Sequence, residues 1–223
     1  MESVKGISSE KEFAIRKGLY LAGLEGVVCD YYNNHAQDYE EYSTITGRTV
    51  GALELAKAVA RTNPDKDATI LDVCAGTGLA GEQLKKLGYT KVDALDFSQA
   101  MLDLAKSKNI YRNYICDSVQ LHKNNQIDDG AYNILCMNGG MLPGHITPDM
   151  LPEFTRITKH GGSIVFNITE ASLKCYPGFS EEVVENALNS FVADGSWTSW
   201  TKVTANYFGK TGEQCIIYTA IVS

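Results

Sequence analysis

Ile70-Leu71-Asp72-Val73-Cys74-Ala75-Gly76-Thr77-Gly78-Leu79-Ala80-Gly81 is an apolar run, then a glycine loop, then the opening of a helical pattern. Ala68, Ile70, Leu71 and Val73, bounded upstream by the turn-rich Asn63-Pro64-Asp65, read as a buried parallel strand. Gly76 and Gly78 supply backbone without side chains where a ligand must come close. Leu79 to Leu87 then runs on as a helix whose amino end receives a carboxylate or phosphate. Strand, glycine loop and helix in this order form a cradle for a nucleotide cofactor.

Two cofactors compete for that cradle. Gly76-Thr77-Gly78-Leu79-Ala80-Gly81 satisfies the dinucleotide fingerprint, with Asp96 about 20 residues further on as the pattern expects. Asp72 argues against it. If the strand ran on to Gly76, Asp72 would be a carboxylate inside a strand buried on both faces, costing several kcal/mol unless paired. The expectation is therefore a strand that ends near Asp72, with its carboxylate at the mouth of the loop. There it repels a pyrophosphate and attracts a cation such as the amino group of S-adenosylmethionine.

The run Leu-Asp-Val-Cys-Ala-Gly-Thr-Gly, followed by Val92-Asp93-Ala94-Leu95-Asp96-Phe97-Ser98-Gln99-Ala100-Met101-Leu102, resembles the first two motifs of class I S-adenosylmethionine-dependent methyltransferases. Within that superfamily the chain most resembles the methyltransferase-like protein 27 group, the Williams-Beuren region methyltransferases. The resemblance runs from about Val27 to the C-terminus. It implies an α/β fold with a Rossmann-like, mostly parallel sheet, helices on both faces and an antiparallel C-terminal hairpin. It also implies that Ala75, Gly76, Thr77 and Gly78 wrap the cofactor, and that Phe97 and Met101 line its adenine or else belong to the core.

The two carboxylates that follow the first strand fit the same picture. Lys91 to Asp96 reads as a second strand, and Ser98 stands as N-cap of the helix behind it. Asp96 at that tip can accept hydrogen bonds from both ribose hydroxyls. Asn113 to Cys116 reads as a third strand ending at Asp117, which would accept from the adenine amino group with Ser118 beside it. Asp72, Asp96 and Asp117 thus converge on one crevice at the carboxyl ends of successive strands, where open parallel sheets bind ligands. Asp93 matches no expected contact and reads as a polar edge position.

Upstream, residues 1–25 form a polar N-terminal segment, and residues 26–223 read as one methyltransferase domain with a helical lid over about 26–62. Gly26 to Glu40 resembles a Tyr-Asp, Ala, Tyr-Asp signature that precedes the core in many of these enzymes, with Asn33 and Glu40 replacing the two aspartates. The family's segment folds over the cofactor, so Tyr31 or Tyr32 and Tyr39 wall off the methyl group, or else the helix simply packs on the core. Val50 to Ala60 reads as the next helix.

Downstream, Leu121 to Gly130 is a polar connection and Tyr132 to Met137 a fourth strand. Family members often have Phe-Asp where this chain has Tyr132-Asn133, so a structural acid is missing. Asn138-Gly139-Gly140-Met141-Leu142-Pro143-Gly144-His145 is a loop at the substrate mouth. It lacks the Asn/Asp-Pro-Pro-Tyr/Phe run of enzymes that methylate amino nitrogens of nucleic acid or glutamine. Asn138 is a candidate cofactor contact. His145, with an ordinary pKa near 6.5, is the histidine placed to serve as general base, with a structural loop role as the alternative. Pro148 to Thr158 reads as a helix, His160-Gly161-Gly162 as a turn, and Ser163 to Thr169 as a fifth strand. Ser180 to Ala193 is a helix, and Trp197 to Phe208 with Gln214 to Val222 an antiparallel hairpin around Gly209-Lys210-Thr211-Gly212.

Composition narrows the partners. The net charge is -7, from 20 basic and 27 acidic residues, with no Lys/Arg cluster, which argues against nucleic acid. No run approaches the ~20 apolar residues of a membrane span, and no signal-peptide core opens the chain. Cys29, Cys74, Cys116, Cys136, Cys175 and Cys215 lack the paired spacing of zinc or redox sites, so no metal is expected and the compartment is reducing, cytosol or nucleus. The expected function is methyl transfer from S-adenosylmethionine to a small-molecule or protein acceptor, with His145 or Tyr32 taking a proton where the acceptor arrives with one. The alternatives are a non-catalytic S-adenosylmethionine-binding protein and an NAD-dependent oxidoreductase.

Overall fold

The structure is a computed structural model that describes residues 25–119, 126–176 and 178–223. Nearly all of the polar N-terminal segment, and the first half of the 121–130 connection, lie outside these residues. Seven strands form one sheet in the order β3-β2-β1-β4-β5-β7-β6. β1 (Ile70–Val73), β2 (Val92–Asp96), β3 (Tyr114–Cys116), β4 (Tyr132–Asn138) and β5 (Thr158–Thr169) are parallel. β7 (Gln214–Val222) is antiparallel to both β5 and β6 (Trp197–Asn206). The sheet is therefore mostly parallel with an antiparallel C-terminal hairpin, as the sequence predicts.

Two apolar layers cover it. On one face α2 (Thr49–Thr62), α3 (Leu79–Lys86) and α4 (Gln99–Ser107) bury Leu55, Leu84 and Leu102 against Ile70, Ala94 and Ile134. On the other, α5 (Leu151–Ile157) and, after the short α6 (Glu170–Cys175), α7 (Glu181–Ala193) bury Phe154 and Leu188 against Leu71, Leu135 and Phe166. The central strands are buried on both faces, which is why they read as unbroken apolar runs and not as alternation. The tryptophans pack: Trp197 is buried, stacks on Phe191 at 4.5 Å and donates from Nε1 to the Thr155 hydroxyl at 2.8 Å.

Ahead of this core runs α1 (Glu25–Thr46), kinked at His35. The two departures from the family pattern pin it down. Asn33 Oδ1 accepts from the Ser98 hydroxyl at 2.8 Å and from the Ala100 N–H at 3.2 Å, at the start of α4. Glu40 pairs with Lys108 at 2.6 Å, and Lys108 also reaches Glu82 on α3 at 2.9 Å.

Three readings need correction. Asp93 is not a polar edge position: it is buried, forked by Arg112 at 2.9 and 2.7 Å, and accepts from Asn113 and the Tyr132 hydroxyl. His160-Gly161-Gly162 is not a turn ahead of the fifth strand. It is a bulge inside a longer β5, between the pairs Tyr132↔Thr158 and Ile134↔Ser163. Pro148 to Met150 form a 3-10 turn that precedes the α-helix and do not belong to it. Asn133 meanwhile covers for the missing acid, accepting at Oδ1 from the Thr69 N–H, the Thr69 hydroxyl and Lys159.

Candidate active site

The carboxyl ends of β1 to β4 open onto three adjoining cavities. The largest, about 240 Å³, includes Asp96, Phe97, Asp117, Ser118 and His145 in its lining. A middle one of about 40 Å³ is walled by Tyr32, Tyr39, Gly76, Met101, Asn138 and His145, among others. The innermost, about 20 Å³, is bounded by Asp72, Ala75, Gly76, Thr77 and Asn138 with Tyr39 at its rim. Cys74 lines all three, with φ +54 in the left-handed region. A non-glycine residue held there costs about 1–3 kcal/mol and is typical of ligand sites.

Asp96 sits between the first two cavities with 7% of its surface exposed. The loops that bracket it hold it in place: the Gly76 N–H donates to Oδ2 at 2.8 Å and the Ser98 N–H to Oδ1 at 2.9 Å. Burial pushes its pKa up to about 6 against the pull of those two N–H groups. Each oxygen accepts one N–H and retains a further lone pair, the capacity that two ribose hydroxyls require. Asp117 accepts the Ser118 N–H at 2.8 Å and Gln126 Nε2 at 2.7 Å, so this tip is anchored as well.

Asp72 differs from its expectation. β1 does end one residue beyond it, at Val73, yet the carboxylate is 1% exposed and is not at an open mouth. What compensates it is a phenol: the Tyr111 hydroxyl donates to Oδ2 at 2.5 Å, and the Cys136 thiol points at Oδ1 at 3.8 Å. Burial still raises its pKa to about 7, with the charge of Asp96 adding to the effect. Thr77, beside it, has a buried hydroxyl with no partner among the described residues.

The glycines divide the same way. Gly76 has φ +54 and open space where a Cβ would be, with nothing nearer than the Cys74 carbonyl at 4.0 Å. Gly78 does not face the cavities; a Cβ there would lie 2.2 Å from Ile110 Cδ1. At Gly81 a Cβ would lie 2.4 Å from the Tyr111 ring, the ring that serves Asp72. Gly78, the position at which the fingerprint needs the backbone to approach a pyrophosphate, is instead filled against Ile110, which weakens the dinucleotide reading.

Among the tyrosines, Tyr32 and Tyr39 line the middle cavity while Tyr31 lines none of the three. Tyr31 packs edge-on against Tyr32 at 5.5 Å and against His35 at 4.7 Å, so of the two alternatives it is Tyr32 that lines these cavities. The Tyr32 hydroxyl and His145 Nε2 share a hydrogen bond of 2.8 Å. Burial lowers the His145 pKa to about 4, and the Arg48 cation adds to this, so the imidazole is a far weaker base than its ordinary value implies. Burial pushes the Tyr32 phenol well up, so both partners are neutral at pH 7.

Sequence reasoning passed over two residues. Tyr111 carried no motif, since its partner lies 39 positions away. Arg48, in the short link between α1 and α2, is 7% exposed and donates to the Tyr39 hydroxyl at 2.6 Å and the Tyr207 hydroxyl at 3.1 Å. It lines a fourth cavity of about 380 Å³ that meets the middle cavity at Gly139.

Adjoining cavities along the carboxyl ends of parallel strands, with Asp72, Asp96 and Asp117 among their lining, are where open Rossmann-like sheets bind their ligands. Residues 70–162 match the family described as "Methyltransferase domain". Human methyltransferase-like protein 27 is 26% identical over 170 residues, 75% of this chain and 66% of that protein. Demethylmenaquinone methyltransferase of Lactococcus lactis is 27% identical over 146 residues, 62% of this chain and 56% of its own. The chain thus spans under two thirds of the length of these relatives. The magnesium protoporphyrin IX methyltransferase of Synechocystis, solved with S-adenosylhomocysteine, shares the fold at TM-score 0.64 and 14% identity, covering 89% of this chain and 99% of that one. A methyltransferase from Thermotoga maritima gives TM-score 0.64 at 14% identity, with 85% and 97% covered. By fold the chain is similar to class I S-adenosylmethionine-dependent methyltransferases, and its residues 70–162 carry the match to the methyltransferase domain.

Proposed function

We propose that this protein transfers a methyl group from S-adenosylmethionine to a small-molecule or protein acceptor, in the cytosol or nucleus. The observation that carries the reading is the buried Asp96 carboxylate facing the run of three cavities, with its pKa raised to about 6. Among the described residues no helix is long and apolar enough to cross a membrane.

In this reading Asp96 holds the ribose, Asp117 and Ser118 the adenine edge, and Phe97 and Met101 its apolar surroundings. Ala75, Gly76, Thr77 and Asn138 hold the amino-acid tail, where the orphaned Thr77 hydroxyl supplies a polar contact. Asp72 faces the tail's ammonium from within its bond to Tyr111. When bound, the cofactor supplies a sulfonium methyl, which passes in line to a nucleophile as the carbon–sulfur pair stays on sulfur. Tyr32 and Tyr39, on the helical lid of residues 26–62, exclude water from the middle cavity. His145 keeps Tyr32 in position. Its lowered basicity favours an acceptor that arrives with a free lone pair over one that must be deprotonated.

The test is transfer of labelled methyl from S-adenosylmethionine into a small-molecule extract and, separately, a protein extract. Enzyme-dependent label that is lost with Asp96→Ala supports the reading. Tight cofactor binding with no transfer to either fraction overturns catalysis in favour of a non-catalytic binder.

A further inference from the structure

Arg48 is a cation without an anion. Its guanidinium is more than nine-tenths buried, and the groups that meet it are two phenols, Tyr39 at 2.6 Å and Tyr207 at 3.1 Å. Its Nε has no partner, and no carboxylate among the described residues lies within salt-bridge distance. The rings of Tyr39, Tyr207 and Phe208 stand 4.9, 5.6 and 5.7 Å from its central carbon, which softens the burial but supplies no counter-charge. Arginine does not shed its proton to escape this, so a buried guanidinium without a counter-charge is a ready partner for an anion brought to it.

The cavity beside it supplies the room. Its volume of about 380 Å³ falls in the range of small-molecule pockets, and its lining mixes Arg48 with apolar Met141, Leu142 and Ile168. Glu213 lies on the same lining, so the wall carries one cation and one anion, which suits a ligand with a single negative group better than a polyphosphate. Gly139 belongs to this cavity and to the middle one, which places a ligand here next to the expected methyl.

We infer that this cavity is the acceptor site, and that Arg48 anchors a small, partly apolar acceptor through its carboxylate. Beyond its bonds to Tyr39 and Tyr207, each Nη nitrogen carries a second N–H, and a guanidinium offers such N–H groups as the paired donors that a carboxylate accepts. This rests on the proposed methyl-transfer function, and it narrows the acceptor from any small molecule or protein to a small carboxylate.

The experiment titrates the full chain with phenylacetate, hexanoate and the corresponding amides by calorimetry, with and without saturating S-adenosylhomocysteine. A carboxylate is expected to bind roughly tenfold or more tightly than its amide, the scale of a charge-assisted pair. Arg48→Gln is expected to abolish that preference, and Arg48→Lys to retain part of it, both with unchanged affinity for S-adenosylhomocysteine. Equal or absent binding of acid and amide by the wild-type protein overturns the proposal without need of a variant. So does an Arg48→Gln protein that loses S-adenosylhomocysteine affinity, since the guanidinium then serves the cofactor's own carboxylate. Failure of the wild type to bind S-adenosylhomocysteine at all strikes the cofactor reading instead, while the acid-to-amide ratio still decides Arg48.

Discussion

Asp72→Asn should make the ligand-free protein less sensitive to rising pH. The carboxylate is 1% exposed and its folded-state pKa is raised to about 7 from 3.8. Between those values the folded protein keeps a proton that the unfolded chain has released, so stability falls as pH rises through the window. A shift from 3.8 to about 7 corresponds to a few kcal/mol, on the order of 4 in full, most of which falls between pH 5 and pH 8. The amide is isosteric, and its oxygen still accepts from the Tyr111 hydroxyl, so the packing is retained. Urea denaturation of wild type and variant at pH 5 and pH 8 measures the effect. The stability difference should move by about 2–3 kcal/mol in favour of Asp72→Asn at the higher pH. A difference that stays constant between the two pH values would refute the claim that Asp72 is a strained, poorly solvated acid in the empty site.

Three further expectations concern the same site. Asp96→Ala should weaken S-adenosylhomocysteine binding by about 1.5–3 kcal/mol for each charge-assisted bond lost, read by calorimetry; unchanged affinity would remove Asp96 from the ribose. Gly81→Ala puts a Cβ 2.4 Å from the Tyr111 ring, and should cost about 1–3 kcal/mol of stability and displace the Tyr111 hydroxyl from Asp72. A thermal midpoint equal to wild type would contradict that packing. The His145 ring should titrate by NMR with a midpoint near 4, against an ordinary value of 6.5. A midpoint near 6.5 would restore it as a practical general base.

The strand tips were legible because each acid follows its own apolar run: Asp72 after Ile70-Leu71, Asp96 after Val92, Ala94 and Leu95, Asp117 after Tyr114-Ile115-Cys116. A parallel sheet buried on both faces writes such runs directly into sequence, and a strand tip is where the first polar residue can appear. Ser98 as N-cap was legible for the same local reason, and its hydroxyl accepts the Met101 N–H at 3.3 Å.

Long-range pairings left no such trace. Asp93 read as an edge position because Arg112 and Tyr132, which neutralise and bind it, lie 19 and 39 residues away. Tyr111 and Asp72 are likewise 39 apart. The literal G-x-G-x-x-G was ambiguous because sequence does not say which way a glycine faces; Gly76 faces the cavity while Gly78 and Gly81 make room for neighbouring side chains. Arg48 was silent because a lone arginine in a polar stretch is ordinarily a surface residue, and only the rings of Tyr39, Tyr207 and Phe208 bury it.

The central claim is the identity of the cofactor, and parallel calorimetric titrations with S-adenosylmethionine, S-adenosylhomocysteine and NAD test it most directly. The account predicts micromolar binding of the first two and none of the third. Tight NAD binding with no response to the other two would contradict it, and would mean that Asp72 and the packed Gly78 do not exclude a pyrophosphate after all.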